Sequence, residues 1–374
     1  MKLLYVTTLG GTMKFFTSLI TELITDGNEI NIATNENNGV TAIPSVYRDM
    51  GCKLMPISCT RSPLSYTNIL AISEIRDIVT KNNYDIVHCH TPIAAACTRL
   101  ACIGARKHGT KVLYTAHGFH FYTGAPLKNW LLYYPIEKIC SKWTDYIITI
   151  NQEDYQRASR IFHSPEVLYV PGVGINTKKF SNANTDRGLL RKNLNIHDDD
   201  TLIISVGELN KNKNHSVIIQ ALAKCKNTKI HYSIAGRGEL FDYLSNLARA
   251  LNVEKQVHLL GYCNDVAKLY QAADICAFPS VREGQGIAAI EAMAAGLPLL
   301  VSDNRGLRGT LVDGENAIVC KYNDIDAFAK GIIKLANDEE LRKKMGINNS
   351  KLSKQFDYSV INKQMKEIYS RAAK

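Results

Sequence analysis

Residues 282–298 read REGQGIAAIEAMAAGLP, and they place two glutamates among glycines and small apolar residues. The neighbours of Glu291 are Ala, Ile and Met, a composition typical of a buried helix. A buried carboxylate is costly unless another group pairs with it or hydrogen-bonds to it. The alternative is that Glu291 is solvated on a half-exposed helix. The surrounding sequence must show whether Glu291 is buried with a partner or solvated.

Short apolar strands alternate with helix-length amphipathic segments on both sides of this stretch. The alternation runs through the first half of the chain and restarts at TLIISVGELN, after a polar segment at 175–200. This pattern predicts parallel sheets covered by helices on both faces. A chain of 374 residues favours two domains. We therefore predict two doubly wound α/β domains, at 1–172 and 173–355, facing a central cleft that binds the ligand.

Composition narrows the class of partner and the compartment. The net charge of +10 suits an anionic partner such as a nucleic acid, an acidic membrane or a phosphorylated ligand. No stripe of aromatic and basic residues is present, which argues against nucleic acid. Ten cysteines without a CxxC pair indicate a reducing compartment. Without a signal peptide or an apolar span, we expect a cytoplasmic protein that at most contacts a membrane surface.

Several loops that follow predicted strands suit an anion. Gly10 and Gly11 in TTLGGTMKFF let backbone N–H groups approach one, although a plain tight turn is an equal alternative. In VGELNKNKN, Lys211 and Lys213 precede a helix, where a lysine is unfavourable unless a phosphate lies beside it. A solvated lysine pair is the simpler reading of that loop. Gly236 lies in a further glycine turn, SIAGRGEL.

Four histidines raise the question of a metal. His88 and His90 lie near one strand end, and His117 and His120 lie near the next. Their spacing brings no carboxylate or thiolate into register, so a third zinc ligand is missing. We expect the histidine loops to form a cleft wall with one polar group that touches substrate, and we predict no metal site and no cofactor.

The stretch at 282–298 fits a diphosphate site. The turn Gly284, Gln285, Gly286 opens a predicted helix, so the helix dipole and the free N–H groups of the first helical turn attract an anion. Just before this turn, Glu283 is placed to accept hydrogen bonds from hydroxyls beyond the diphosphate. Two turns into the helix, Glu291 is placed to accept from ribose hydroxyls, which would compensate its burial.

At this point the chain resembles retaining glycosyltransferase family 4. The two glutamates seven residues apart in SVREGQGIAAIEAMAAGLPLLVSD are similar to the signature of that family. VPGVGINTKKF resembles its interdomain segment, VGELNKNKN its basic loop, and LLGYCNDVAKLYQAADICAFPS its base-binding strand and helix. The resemblance implies the glycosyltransferase B fold, a nucleotide-sugar donor, retention of anomeric configuration and a last helix, 356–374, that crosses back to the N-terminal domain.

The resemblance also implies roles for residues of the C-terminal half. Lys213 would bind the donor diphosphate together with the backbone of Gly286 and Ile287. Glu283 would hold the donor sugar and Glu291 the ribose.

Further roles follow for the loops of both halves. Gly11 would lie under the diphosphate, and His117 would contact the sugar near the reacting carbon. Tyr262 and Cys263 would line the base, and its frequency in the family favours a uridine nucleotide.

Two residues depart from the family pattern. Glu208 stands where the basic loop usually carries an arginine, and Lys211 is a candidate to supply that charge. Gln285 replaces an aromatic or large aliphatic residue.

The expected reaction needs no metal, because Lys213 and helix N–H groups can stabilise the departing phosphate. An acidic triplet, IHDDD at 196–200, lies in the polar segment and reads as solvated. The acceptor would be a glycan or a polyprenyl-diphosphate-linked sugar in capsule or exopolysaccharide synthesis. Two alternatives stay open: a nucleotide-sugar epimerase of the same fold, and a catalytically weak nucleotide-sugar-binding protein.

The segment TGAPLKNWLLYYPIEKICSKW at 123–143 mixes aromatic residues with lysines. That mixture suits the headgroup region of an anionic membrane. It equally suits an amphipathic helix whose aromatic rings pack inside the N-terminal domain, and periodicity does not separate the two.

Overall fold

The computed structural model describes residues 1–36, 42–183 and 185–374. These residues form two compact units. The N-terminal unit comprises Met1–Gly174 together with Tyr358–Lys374, and the C-terminal unit comprises Ile175–Asp357. Each unit is an α/β structure built on a parallel sheet, as the strand–helix alternation predicts.

The described part of the N-terminal unit contains a seven-stranded parallel sheet with the order β3-β2-β1-β4-β5-β6-β7. Its strands are β1 (Lys2–Leu9), β2 (Glu29–Asn35), β3 (Lys53–Pro56), β4 (Ile86–His90), β5 (Lys111–Ala116), β6 (Tyr146–Thr149) and β7 (Glu166–Tyr169). The helices are α1 (Thr17–Thr25), α2 (Val46–Asp49), α3 (Thr67–Asn82), α4 (Pro92–Ala101), α5 (Ile103–Arg106), α6 (Leu127–Cys140) and α7 (Gln152–Ile161). Short 3-10 helices span Gly10–Phe16 and Ser141–Trp143.

Both faces of this sheet are buried. Leu4 and Val6 of β1 belong to one apolar core, and Leu3 and Tyr5 belong to another on the opposite face. Successive strand residues point to opposite faces, so helices must cover both.

The described part of the C-terminal unit contains a six-stranded parallel sheet with the order β10-β9-β8-β11-β12-β13. Its strands are β8 (Thr201–Val206), β9 (Ile230–Ala235), β10 (Val257–Gly261), β11 (Ile275–Phe278), β12 (Leu299–Ser302) and β13 (Ala317–Cys320). The helices are α8 (Thr177–Ser181), α9 (Arg187–Asn193), α10 (His215–Cys225), α11 (Phe241–Ala250), α12 (Val266–Ala272), α13 (Ile287–Ala294), α14 (Ile325–Asn337) and α15 (Glu339–Ser353). A 3-10 helix spans Lys354–Phe356.

The last helix, α16 (Tyr358–Ala372), packs in the N-terminal unit. Its apolar residues Ile361, Met365 and Ile368 join the core formed by α1 and β1. Asn362 donates to Glu22 on α1 with a separation of 2.6 Å between Nδ2 and Oε1. Helix α16 is therefore part of the apolar core that contains α1 and β1.

Strand order reverses once in each sheet, between β1 and β4 in the N-terminal unit and between β8 and β11 in the C-terminal unit. Open parallel sheets bind ligands outside the carboxyl ends of the strands at such a reversal. The loops after these four strands are therefore expected to bind the ligand.

Candidate active site

In the C-terminal unit, the two loops at the strand reversal meet through an ion pair. Lys213 follows β8 and Glu283 follows β11, and the distance from Nζ to Oε1 is 2.7 Å. Both side chains are partly buried, and the Lys213 ammonium also lies 5.3 Å from the ring centroid of Phe278. Partial burial strengthens the attraction between the charges, so each holds the other in place.

Backbone contacts between the same two loops fix this geometry. The amide of Val281 donates to the carbonyl of Asn212 over 2.8 Å, and the side chain of Asn212 donates to the carbonyl of Arg282 over 2.9 Å. Asn214 donates to the carbonyl of Pro279 over 3.2 Å. Four hydrogen bonds or ion pairs thus tie residues 212–214 to residues 279–283.

Gly286 opens α13 beside this pair. Its φ of +85° lies in the left-handed region, and a Cβ there would lie 3.1 Å from the Leu307 side chain and 3.3 Å from the Phe278 ring. Both conditions favour glycine. The loop Gly284–Gln285 leads into it, and Gln285 is buried. The first N–H groups of α13, from Ile287 onward, have no partner within the helix, as in any α-helix.

The Glu291 carboxylate is only partly compensated for its burial. It is partly buried, and burial raises the pKa of its carboxyl to about 7. The hydroxyl of Tyr270 lies 3.4 Å from its Oε2 and also donates to the carbonyl of Ala288 over 2.9 Å. The hydrogen bond from Tyr270 and the charge of Lys179 oppose the rise in pKa only in part. The carboxylate is therefore under-compensated, and hydroxyl donors from a ligand would stabilise it.

Gly236 serves close packing between the loops after β8 and β9. A Cβ at Gly236 would lie 1.8 Å from the carbonyl oxygen of Gly207, so only glycine fits. The guanidinium of the next residue, Arg237, lies 5.6 Å from the ring centroid of Tyr262. Tyr262 follows β10 and is 65% exposed. Cys263, beside Tyr262, is partly exposed. The loops thus present an aromatic face and a cation at one edge of the sheet.

Lys211 and Glu208 are not members of the Lys213–Glu283 ion pair. Lys211 is exposed and lines a cavity of about 450 Å³ with Ser216 and Tyr243. Glu208 is also exposed and accepts a hydrogen bond from Asn210 over 2.9 Å. The structure brings Lys213 to Glu283, and it places Lys211 on the side of α11.

In the N-terminal unit, Gly10 and Gly11 begin the 3-10 helix after β1. A Cβ at Gly10 would lie 2.6 Å from the side chain of Ile43 and 2.9 Å from its backbone nitrogen. This close approach explains glycine at position 10 by packing. Gly11 is partly exposed at the carboxyl end of the strand.

The histidines form a hydrogen-bonded cluster. His90 Nδ1 lies 3.1 Å from His117 Nε2, and His88 contacts the Tyr369 hydroxyl of α16 over 2.6 Å through its Nδ1. His88 Nε2 also lies 2.8 Å from the hydroxyl of Thr115. Burial lowers the pKa of His88 to about 3 and that of His117 to about 4, and it lowers the pKa of His90 well below its usual value. All three rings are therefore neutral at pH 7.

The surroundings of His90 select one tautomer. Its Nε2 is buried and has no hydrogen-bond partner among the residues that the structure describes. A buried N–H without a partner costs more than a bare lone pair would, so the proton belongs on Nδ1, which donates to Nε2 of His117. His117 then carries its own proton on Nδ1. It is partly exposed, and this N–H is available to a ligand.

Across residues 1–36, 42–183 and 185–374, no group of three or more His, Cys, Asp or Glu side chains is arranged to hold a metal ion. Over the same residues, no helix combines the length and apolar character needed to cross a bilayer.

Segment 123–143 contains α6, and it divides its residues between two environments. Trp130, Tyr133 and Tyr134 pack against the core of the N-terminal unit, and the guanidinium of Arg157 lies 5.3 Å from the Trp130 ring. Leu127 and Leu131, by contrast, are exposed. The aromatic residues of this segment therefore pack inside the N-terminal unit, whereas Leu127 and Leu131 face solvent.

Three residues of this site were not predicted from the sequence. Arg237 faces Tyr262, Tyr270 contacts Glu291, and Gly306 packs so closely that a Cβ would lie 2.9 Å from Cβ of Glu283. Arg237 follows a glycine after a predicted strand, which was a usable signal. Nothing local marks Tyr270 or Gly306, because their roles depend on neighbours far along the chain.

Two Rossmann-like units with these loops at their strand reversals define a protein of the glycosyltransferase B fold class. The solved structure of HepE from Anabaena in complex with UDP shares the fold, with a TM-score of 0.82, 19% identity and coverage of 99% of this chain and 100% of that one. Two family models match the chain: Glycosyl transferases group 1 over residues 186–352, and Glycosyl transferase 4-like over residues 2–151.

Curated relatives agree with this class. A protein of Bacillus subtilis (strain 168) named "Putative glycosyltransferase EpsD" is 39% identical over 348 residues, which cover 92% of this chain and 89% of the relative. An Escherichia coli protein named UDP-Gal:alpha-D-GlcNAc-diphosphoundecaprenol alpha-1,3-galactosyltransferase is 29% identical over 292 residues, 75% of each chain. The chain belongs to the group 1 glycosyltransferase family and is a glycosyltransferase of glycan biosynthesis.

Proposed function

We propose that this chain is a retaining, metal-independent hexosyltransferase that moves a sugar from a UDP-sugar to a lipid-linked sugar during synthesis of a surface polysaccharide. The observation that carries the proposal is the ion pair between Lys213 and Glu283, at the strand reversal and beside the start of α13. A cation, a free helix N-terminus and a carboxylate meet there, which suits a diphosphate joined to a hydroxyl-rich group.

The donor would occupy the C-terminal unit from base to sugar. Tyr262 and Cys263 would line the base, and Glu291 would accept from the ribose hydroxyls. The backbone of Gly286 and Ile287 would bind the phosphates. In this arrangement the partly buried Glu291 gains the hydrogen bonds that Tyr270 alone does not supply.

The remaining donor contacts would come from charged and glycine loops. Lys213 would turn from Glu283 to the β-phosphate, leaving Glu283 to accept from the sugar hydroxyls. His117 and Gly11 would approach the donor from the N-terminal unit, His117 through its Nδ1–H.

The transfer requires no group beyond the chain, the donor and the acceptor. The bond between sugar C1 and the β-phosphate oxygen breaks, and the electron pair leaves with UDP. The acceptor hydroxyl oxygen forms a bond to C1 on the same face, and its proton passes to the departing phosphate oxygen. Lys213 and the first N–H groups of α13 would stabilise the charge that grows on that phosphate.

The names of relatives support the donor and acceptor classes. The HepE structure contains UDP, and the Escherichia coli relative is named for a UDP-sugar donor and a sugar-diphospholipid acceptor. The net charge of +10 suits both anionic ligands.

The direct test is incubation with a panel of nucleotide sugars, with and without N-acetylglucosamine linked through a diphosphate to a farnesyl chain. We expect UDP release and a longer glycolipid only when donor and acceptor are both present, with unchanged rates in excess EDTA. Conversion of the donor sugar without acceptor would indicate an epimerase. Binding of UDP without turnover of any pair would indicate a binding protein, and loss of rate in EDTA that magnesium restores would contradict metal independence.

We further propose that an anionic membrane surface on the cytoplasmic side contacts the N-terminal unit. Leu127 is 73% exposed and Leu131 is 71% exposed on α6, Lys128 is exposed next to Leu127, and Lys142 is exposed shortly after the end of the helix. Exposed leucines flanked by lysines suit the interface of an anionic leaflet, since apolar side chains enter it and lysines contact its headgroups.

Co-sedimentation with vesicles tests this surface. Wild-type protein should bind vesicles that contain phosphatidylglycerol at low salt and bind neutral vesicles less. Leu127→Ser with Leu131→Ser should reduce the bound fraction, whereas Ile347→Ser, at an exposed position in the C-terminal unit, should not. Equal binding by all three proteins would contradict the assignment.

A further inference from the structure

The ring of His90 is enclosed by other rings at the carboxyl end of β4. Its centroid lies 4.2 Å from that of His88 and 4.3 Å from that of Phe16, the last residue of the 3-10 helix after β1. Only 1% of His90 is exposed. Close packing against two rings leaves the imidazole little freedom to rotate, so its nitrogen atoms keep fixed directions.

The neighbouring ring of His88 is held by hydrogen bonds at both of its nitrogens. Its Nδ1 lies 2.6 Å from the hydroxyl of Tyr369 on α16, and its Nε2 lies 2.8 Å from the hydroxyl of Thr115 on β5. The Tyr369 hydroxyl also lies 2.6 Å from the hydroxyl of Tyr5 on β1. Residues of β1, β5 and α16 therefore fix the ring against which His90 packs.

The imidazole of His90 has one hydrogen bond among the residues that the structure describes. Its Nδ1 lies 3.1 Å from Nε2 of His117, whereas its own Nε2 is buried without a partner there. In a pair of neutral imidazoles one ring donates and the other accepts. If His117 donated, the proton of His90 would lie on the buried Nε2, which would lose its hydrogen bond to water. His90 therefore donates, and His117 accepts through Nε2.

This hydrogen bond determines which nitrogen of His117 carries the proton. A neutral imidazole has one proton, so acceptance at Nε2 places it on Nδ1. Neutral histidine in water prefers the proton on Nε2, so the contact with His90 selects the less common tautomer. The Nδ1–H that results is the group that, in the function proposed above, approaches the donor sugar.

We propose that His90 is a positioning residue for sugar transfer. Its Nδ1–H holds His117 in the tautomer and the orientation in which Nδ1–H of His117 donates to a hydroxyl of the donor sugar. Because His90 is buried, it acts through His117 rather than on the ligand. Its effect on the rate rests on the proposed function, whereas the tautomer belongs to the free protein and is measurable without substrate.

Two substitutions separate the donated N–H from the packing of the ring. His90→Phe keeps a ring but has no donor, and His90→Asn keeps an amide N–H that can take the place of Nδ1–H. His163→Phe, at an exposed position of the same unit, is the matched control. Long-range proton–nitrogen correlation spectra of the full chain with isotopically labelled histidine report the tautomer of each ring. The spectrum of His117→Gln identifies the signals of His117.

We expect His117 to carry its proton on Nδ1 in the wild-type protein and on Nε2 in His90→Phe. The value of kcat, from initial rates of UDP release, should fall about tenfold in His90→Phe, since one hydrogen bond and the alignment that it gives are lost. Calorimetry should find the affinity for UDP unchanged, because UDP lacks the sugar. His90→Asn and His163→Phe should keep both the tautomer and the rate of the wild type.

Three results would overturn the assignment. Protonation of His117 at Nε2 in the wild-type protein would make His90 the acceptor, and this spectrum needs no variant that folds. A loss of rate in His90→Phe with an unchanged tautomer would assign the effect to packing alone. A changed tautomer with an unchanged rate would remove the role in transfer. If the wild-type protein transfers no sugar, the proposed function fails, and the spectra still decide whether His90 sets the tautomer of His117.

Discussion

Glu283 lies 2.7 Å from the ammonium of Lys213, so these two charges neutralise each other before any ligand binds. A diphosphate would compete with Glu283 for the lysine and release the carboxylate toward the sugar. Lys213 should therefore affect binding of the diphosphate, whereas Glu283 should affect the rate of sugar transfer.

We predict that Glu283→Gln lowers the rate of sugar transfer about 100-fold while UDP binds as tightly as before or more tightly. The amide no longer holds the lysine as an ion pair, but it accepts poorly from sugar hydroxyls in the transition state. Initial rates of UDP release and calorimetry with UDP measure the two effects. Glu315→Gln, at an exposed position in the same unit, is the control. A parallel loss of UDP affinity would contradict a role confined to the sugar.

The pKa of Glu291 provides a second residue-scale prediction. Burial raises this pKa to about 7, and ribose hydroxyls that donate to the ionised carboxylate would lower it again. UDP binding at pH 7 should therefore release roughly half a proton from Glu291. Calorimetry in two buffers with different ionisation enthalpies measures the release. Glu291→Gln should remove this contribution and weaken binding, and equal buffer dependence in both proteins would exclude the ribose contact.

At the scale of elements, α4 and α6 are joined by a buried ion pair. Arg99 and Glu137 approach to 2.8 Å, the Tyr114 hydroxyl donates to Glu137 over 3.0 Å, and both charged residues are buried. Their position within the apolar core shields the pair from solvent, so removal of one partner leaves a buried charge without compensation.

We predict that Glu137→Ala lowers the free energy of unfolding by about 3–5 kcal/mol. Glu166→Ala, which removes the partner of the exposed Arg371 at 3.4 Å, should cost at most about 1 kcal/mol. Urea unfolding measures both. The double substitution Arg99→Met with Glu137→Leu should cost less than Glu137→Ala alone, because no unpaired charge remains. A loss for Glu137→Ala as small as that for Glu166→Ala would show that water reaches the pair.

At the scale of the whole molecule, buried histidines couple stability to acid. Burial lowers the pKa of six histidines: that of His88 to about 3 and those of His117, His215 and His258 to about 4, and it also lowers the pKa of His90 and of His231. Unfolded histidines bind protons near pH 6.5, so between about pH 6.5 and 4 the unfolded chain binds more protons than the folded chain. Glu291 acts with the opposite sign between 4.5 and about 7, but it is a single group.

We therefore predict that stability present above pH 6.5 is lost progressively as the pH falls toward 4. Each histidine that titrates only on unfolding contributes a slope of roughly 1.4 kcal/mol per pH unit. Urea unfolding at pH 7, 6 and 5 measures the slope. His215→Asn should reduce it, and His108→Asn, at an exposed position, should leave it unchanged. A flat profile would show that the folded rings accept protons freely.

The strand–helix alternation was enough to predict two parallel-sheet units, because strands buried on both faces read as continuous apolar runs. Turn chemistry was equally local. Gly286 adopts positive φ, as a helix-opening glycine can, and Gly236 packs where no Cβ fits. Segment 123–143 was ambiguous for the same reason, since helical periodicity shows that two faces differ but not what covers each of them.

By itself the sequence determined the elements, the family and the kinds of side chain that follow each strand, since these depend on near neighbours and on local backbone preference. Only the tertiary structure decided which loops meet. Lys213 and Glu283 are 70 residues apart, yet they form one ion pair because strand order reverses between β8 and β11. The contact between His90 and His117 arises in a similar way, because a parallel sheet gathers the carboxyl ends of neighbouring strands at one edge.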